Sequence, residues 1–226
     1  MAVSYLDDAG RQRVSDAVAA AEMHSAGEIV TIVAERSDGY TDVALAWSAL
    51  AAFTALTVLS VFPDFYLGLY ERLSGGWLHE WTPQKVFTLA AMVAMLKFIG
   101  MMALQMWQPL KFALVPRAIK NARARARAIT CFKVGAERRT HGRTGILIYL
   151  SMRERHAEIV ADEAIVKLVS PDVWAEAMAA LLAHVREGRI ADGMAAAVGK
   201  VGDVLALHFP RADNDINELP DRLIEV

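Results

Sequence analysis

Residues 144–165 read TGILIYLSMRERHAEIVADEAI, and the fold turns on how this stretch is read. The apolar run GILIYLSM predicts a strand over 145–152, and AEIVA predicts a second over 157–161. Between them Arg153, Glu154, Arg155 and His156 supply a tight polar turn, so the stretch reads as a soluble β-hairpin. Upstream, the sequence has a different character. VALAWSALAAFTALTVLSVF, residues 43–62, is twenty residues without a charge. At 1.5 Å per residue such a helix covers about 30 Å, the hydrocarbon thickness of a bilayer. The chain, at 226 residues, is too short to bury such a helix inside a large soluble core.

A second span is expected over 86–107, VFTLAAMVAMLKFIGMMALQMW, which holds one charge, Lys97. A lysine at mid-span costs roughly 2.5–3.5 kcal/mol, which the apolar residues around it offset. Trp47 and Trp107 would mark one membrane interface, and Tyr66, Tyr70, Trp77 and Trp81 the other. The short connection over 63–85 makes the two spans an antiparallel hairpin.

Charge is segregated along the chain. From Lys111 to Arg143 there are ten Lys and Arg and one acid, Glu137, whereas the first 42 residues carry eight acids against three bases. Residues 144–226 carry fourteen acids against eight bases. The positive-inside rule therefore puts the basic belt, both termini and the soluble parts in the cytoplasm. The N-terminal MAVSYLDDAGRQRV lacks the charged and apolar regions of a signal peptide, so an internal span is expected to do the targeting. The single cysteine, Cys131, excludes an intramolecular disulfide, and the six histidines show no metal-protease spacing.

The soluble part comes in two pieces. Before the hairpin, Val14, Ala17, Val18 and Ala21 recur at helical spacing with Asp7 or Asp8 as cap, and EIVTIVAER predicts a strand over 28–36. After it, a basic helix is expected over 117–139, then the two strands, then two amphipathic helices. Val173, Trp174, Ala177, Met178, Leu181, Leu182 and Val185 form the stripe of the first, which Gly188 ends. Ile190, Met194, Ala197, Val198, Val201 and Leu205 form that of the second, which stops before Pro210. A helix and one strand cannot fold alone. The expected organisation is thus one α/β domain built from 1–42 and 140–226, with helices on both faces of a small mixed sheet. A membrane hairpin over 43–110 and a basic juxtamembrane helix over 111–139 interrupt it.

The string TGILIYLSMRERHAEIVADEAI, Trp174, the HFP that closes the helix pair, NELP at Asn217–Pro220 and the earlier EIVTIVAERSDGY together resemble the TPM domain family. The resemblance covers about 1–42 and 140–226, and the form with an inserted hairpin resembles a bacterial membrane branch. It implies a three-layer α/β/α head with Rossmann-like layering. The functional record it implies is mixed: a phosphatase activity proposed for plant thylakoid-lumen members, photosystem repair, modulation of a receptor in animals, and divalent-ion binding in a bacterial member.

The candidate site residues are few. Asp162 stands in the ADxxI-like position of the family, at the end of a strand, where α/β sheets place sites, and is the candidate catalytic group. Its other reading is a helix cap. Asp213, Asp215, Asn217 and Glu218 put oxygen ligands close together in the tail, a pattern that suits Ca²⁺ or Mg²⁺, although an EF-hand glycine and closing acid are absent. Their other reading is a solvated tail whose Asx side chains close local turns. Glu28 and Asp38 flank the first strand and are candidates for the same cluster. Arg117, Lys120, Arg123, Arg125 and Arg127 read as contacts to anionic lipid headgroups, each worth about 1 kcal/mol near a bilayer surface. Nucleic acid is not expected, because only Phe132 offers stacking there.

These readings converge on a multi-pass protein of a bacterial inner membrane. Its cytosolic head is expected to act as a binding or scaffold module, in a homo-oligomer packed through the face of Lys97 and Gly100. One alternative is a divalent-metal-dependent phosphatase using Asp162 with Asp213 and Asp215. Another is an oligomeric channel around Lys97, since two helices cannot enclose a pore; its conductance would have to vanish in Lys97→Met.

Overall fold

The computed structural model describes residues 4–73, 75, 81–135, 144–211 and 221–226. It divides into two compact units, a head of Met1–Asp38 with Arg117–Val226 and a hairpin of Gly39–Pro116.

In the head, helix α1 (Asp8–Glu22) leads to strand β1 (Glu28–Ala34); helix α6 (Arg117–Gly135) precedes strands β2 (Gly145–Ser151) and β3 (His156–Ala161). Helices α7 (Glu163–Leu168), α8 (Pro171–Val185) and α9 (Ile190–His208) follow, and a two-residue strand β4 (Ile224–Glu225) ends the chain. The hairpin contributes α2 (Thr41–Val61), α3 (Pro63–Leu73), α4 (Pro83–Leu104) and α5 (Gln108–Leu114). Asp7 caps α1 by accepting the Gly10 N–H at 2.7 Å, as the sequence predicts. Gly188, at φ +78, takes the left-handed position just beyond α8.

The sheet order is β3-β2-β1-β4. β1 and β2 are parallel, in register from Glu28 opposite Gly145 to Ala34 opposite Ser151. β3 returns antiparallel to β2, and β4 runs parallel to β1 with Ile224 opposite Ile32. All seven residues of β1 and of β2 are buried, because helices cover both faces. On one face Ile29, Val33, Ile146, Ile148 and Leu150 pack with Val14 and Val18 of α1, Leu181 of α8 and Met194, Val198, Val201 and Leu205 of α9. On the other, Val30, Ile32, Ala34, Leu147 and Tyr149 meet Ala128 and Phe132 of α6. The fold is thus α/β, built on a mixed sheet that joins the two chain pieces.

Within the hairpin, α2 and α4 are long and apolar enough to cross a membrane, with mean hydropathies of 1.8 and 2.0. Only 11% and 6% of their apolar windows are buried, whereas the core helix of a soluble protein is mostly buried. The Gln105 side chain ties them near one end, donating to Ala44 O at 3.0 Å and to Ser48 Oγ at 3.3 Å. Trp47 Nε1 donates to Leu114 O at 3.1 Å, and the rings of Tyr40 and Phe112 meet edge to face at 5.5 Å. The second span ends at Leu104 and not Trp107 because Trp107 caps α5, whose first turn holds Pro109. The connection over 63–85, read from the sequence as a loop, begins with helix α3. Trp77 and residues 136–139 of the expected basic helix lie outside the described residues.

Candidate functional site

The parallel pairing of β1 and β2 puts Glu28 and Gly145 at one edge of the sheet, and antiparallel β3 brings Asp162 back to that edge. Asp162 is therefore at the amino edge of the parallel pair, opposite the carboxyl edge where such sheets bind ligands. It is buried, its carboxylate accepts the Gly145 N–H at 2.9 Å, and its own N–H donates to Gly145 O at 3.0 Å. It occupies the N-cap position of α7 with no side-chain cap bond, so its carboxylate closes the strand edge and does not cap the helix.

A cleft of about 170 Å³ lies at this edge, lined by Glu22, Ser25, Glu28, Arg211 and Asp221. Glu22 enters it because it continues the buried face of α1, after Val14 and Val18 at spacing four. Its Oε1 accepts the Ile29 N–H at 2.8 Å. Burial pushes the Glu22 carboxyl up to about 8, with the carboxylates of Glu28 and Asp221 adding to the rise and the Ile29 N–H opposing it. Glu22 therefore carries a proton at neutral pH. Asp213, Asp215, Asn217 and Glu218 lie outside the described residues.

The carboxyl edge carries a hydroxyl network. Ser37 Oγ is 3.0 Å from the Tyr149 hydroxyl and 3.0 Å from Ser151 Oγ. The Ser151 hydroxyl donates to Glu154, whose other oxygen accepts the Ser37 N–H at 2.9 Å. Burial raises the Tyr149 hydroxyl above the ordinary tyrosine value, so it stays a neutral donor. Beyond this network Asp38 pairs with Arg123. Glu28 thus opens a seven-residue strand about 20 Å long and Asp38 lies past its other end, so the two do not form one cluster. Among the described residues no group of three or more His, Cys, Asp or Glu is arranged to hold a metal ion.

The basic residues of α6 divide by face. Ala124, Ala128 and Phe132, spaced by four, pack inward. Arg117, Arg125 and Arg127 are exposed, whereas Lys120 and Arg123 are half-buried. Arg123 pairs with Asp38, and Arg125 lies 3.5 Å from Glu158, so part of the belt neutralises the head's own acids. Lys97 is exposed on α4. The cleft was not visible from sequence, because Glu22 and Asp221 lie far apart in the chain; the signal was a glutamate at a core position of α1.

No family model matches the chain, and no curated protein matches it. It is similar in fold to the solved NMR structure of the BA42 protein from the psychrophilic bacterium Bizionia argentinensis. The TM-score is 0.58 at 17% identity, over 99% of this chain and 97% of that one. At that identity the likeness is one of fold.

Proposed function

We propose that this chain is a membrane-anchored binding module. Its head is a three-layer TPM-like α/β/α unit, held at the cytoplasmic face of a bacterial inner membrane by α2 and α4, and it works as a homo-oligomer with anionic headgroups against its exposed arginines. The observation that carries the binding reading is the engagement of the head's carboxylates. Asp162 closes the sheet on Gly145, Asp38 pairs with Arg123, and Glu154 holds Ser37 and Ser151. Groups that hold strands in register are poorly placed to activate water or to receive a phosphoryl group. The apolar, largely unburied faces of α2 and α4 support the membrane anchor.

The test uses the full chain, first in its membranes and then purified in detergent. Alkaline carbonate should leave the protein in the membrane fraction, and protease added to inverted vesicles should digest the head. A phosphate monoester assay with Mg²⁺ or Ca²⁺ should show no turnover. Metal-dependent turnover lost in Asp162→Asn, which keeps an acceptor for the Gly145 N–H, would overturn the binding reading in favour of a phosphatase.

A further inference from the structure

We propose that α3 is a lipid-binding element, seated along the headgroup–acyl boundary of the bilayer at the closed end of the hairpin. The inference rests on the reading of α2 and α4 as membrane spans. It assigns α3 a surface and a partner that a plain loop would not have.

Phe65, Leu69 and Leu73 recur at spacing four, and Phe62 extends the row by one turn, so the four side chains form one stripe. All are exposed, at 58% for Phe62, 66% for Phe65, 42% for Leu69 and 80% for Leu73. Asp64 and Glu71 occupy the opposite arc together with Leu67, and Arg72 borders the stripe beside Phe65. A helix with one apolar and one polar face lies in an interface: the apolar face is covered and the polar face stays wet.

One residue, Phe62, separates the end of α2 at Val61 from the start of α3 at Pro63. Pro63 sets the first turn of α3, and the helix begins at the level where the span stops. At about 1.5 Å per residue, Phe65 stands about 5 Å of chain beyond Phe62, so the start of the stripe stays at the level where the span stops whatever the direction of α3.

Tyr66 and Tyr70 lie on α3, Tyr70 meets Trp81 edge to face at 5.8 Å, and Trp81 Nε1 donates to Glu71. Tyr and Trp rings with one polar end favour the headgroup level. A second copy of the chain is the weaker occupant. Four side chains of about 150 Å² apiece offer about 600 Å², below the roughly 800 Å² per partner of a stable interface. With Asp64, Glu71 and Arg72 the helix carries no net positive charge, so apolar area drives its seating and zwitterionic lipid suffices.

The experiment places nitroxide labels on the full chain in phosphatidylcholine nanodiscs. Leu69→Cys, Asp64→Cys and Met95→Cys are each labelled in a Cys131→Ala background, and collision with oxygen is compared with collision with a water-soluble nickel chelate. All three sites are exposed, so the labels displace little packing. The Leu69 label should favour oxygen and sit about 5–10 Å below the phosphates. The Asp64 label should favour nickel, and the Met95 label should lie deepest. A Leu69 label as open to nickel as the Asp64 label puts α3 in water and overturns the inference. A Leu69 label closed to both reagents means protein covers the stripe and also overturns it. If the Met95 label is open to nickel, the membrane reading itself falls, and the inference with it.

Discussion

Glu22 shows the clearest conflict between a residue and its position. The spacing of Val14, Val18 and Glu22 assigns it to the core of α1, whereas its chemistry belongs in water. The carboxyl stays protonated up to about pH 8 because burial, next to Glu28 and Asp221, disfavours the charge. In the unfolded chain it ionises near 4.5, the ordinary value of a glutamate carboxyl. Between those two values the folded state holds more protons than the unfolded state, so stability falls as pH rises. The slope contributed by this one group is at most about 1.4 kcal/mol per pH unit. Glu22→Gln removes the titration while keeping an acceptor for the Ile29 N–H. The melting temperature of the wild type should decline from about pH 4.5 to pH 8 relative to the variant, and the two should meet below pH 4.5. Equal profiles would show that Glu22 is charged in the fold. Ser37 supplies the second residue-scale prediction. Its hydroxyl bridges Tyr149 and Ser151, so Ser37→Ala leaves buried partners unsatisfied and should cost ~1–3 kcal/mol in urea unfolding. In a double-mutant cycle Tyr149→Phe should then add less than it does alone. Neither feature was read from the sequence, although Glu22 continues the spacing of Val14 and Val18 and could have been found by it. The network joins residues more than a hundred positions apart, which one chain cannot reveal.

Among the elements, long periodic ones were legible and short ones were not. The strands were expected over 28–36, 145–152 and 157–161, and are observed as Glu28–Ala34, Gly145–Ser151 and His156–Ala161, since hydrophobic runs bounded by polar turns specify them. β4 has two residues and no periodicity; it exists only because β1 offers a free edge to Ile224 and Glu225. α7, only six residues long, was anticipated solely through the reading of Asp162 as a helix cap, and its extent was not. Helix packing adds a constraint that periodicity does not carry. A Cβ at Gly193 would lie 2.7 Å from Leu181 O of α8, and one at Gly202 would lie 2.6 Å from the Ala21 Cβ of α1. Gly199, on the same helix α9, meets nothing within 4 Å. Gly202→Ala should therefore destabilise the protein by ~1–3 kcal/mol through forced separation of α9 from α1. Gly193→Ala should do so at least as strongly, because a backbone carbonyl cannot turn aside. Gly199→Ala should stabilise by ~1 kcal/mol, since only helix propensity changes. Denaturant titrations of the three variants test the ordering, and a loss at Gly199 equal to that at Gly202 would contradict close packing as the cause.

For the molecule as a whole, the insertion was legible because composition changes abruptly at both of its ends, while the way the pieces recombine depends on register. Seven pairs between β1 and β2 join segments that the 78 residues of Gly39–Pro116 hold apart in sequence. Both cores described for the head draw on head residues alone. Among the described residues neither core needs the hairpin, so the head should fold without it. Asp38 and Arg123 are paired, and Arg117 begins the same helix as Arg123, so a linker of about eight Gly and Ser residues can join Asp38 to Arg117. Replacing 78 residues by about eight shortens the closing loop by roughly three doublings, which lowers its entropy cost by ~2 kcal/mol. The shortened chain should be soluble without detergent and should unfold in one cooperative transition. It should also keep the fall in stability between pH 5 and pH 8 that belongs to Glu22. An aggregated or non-cooperative product would mean that the hairpin supplies part of the head's core.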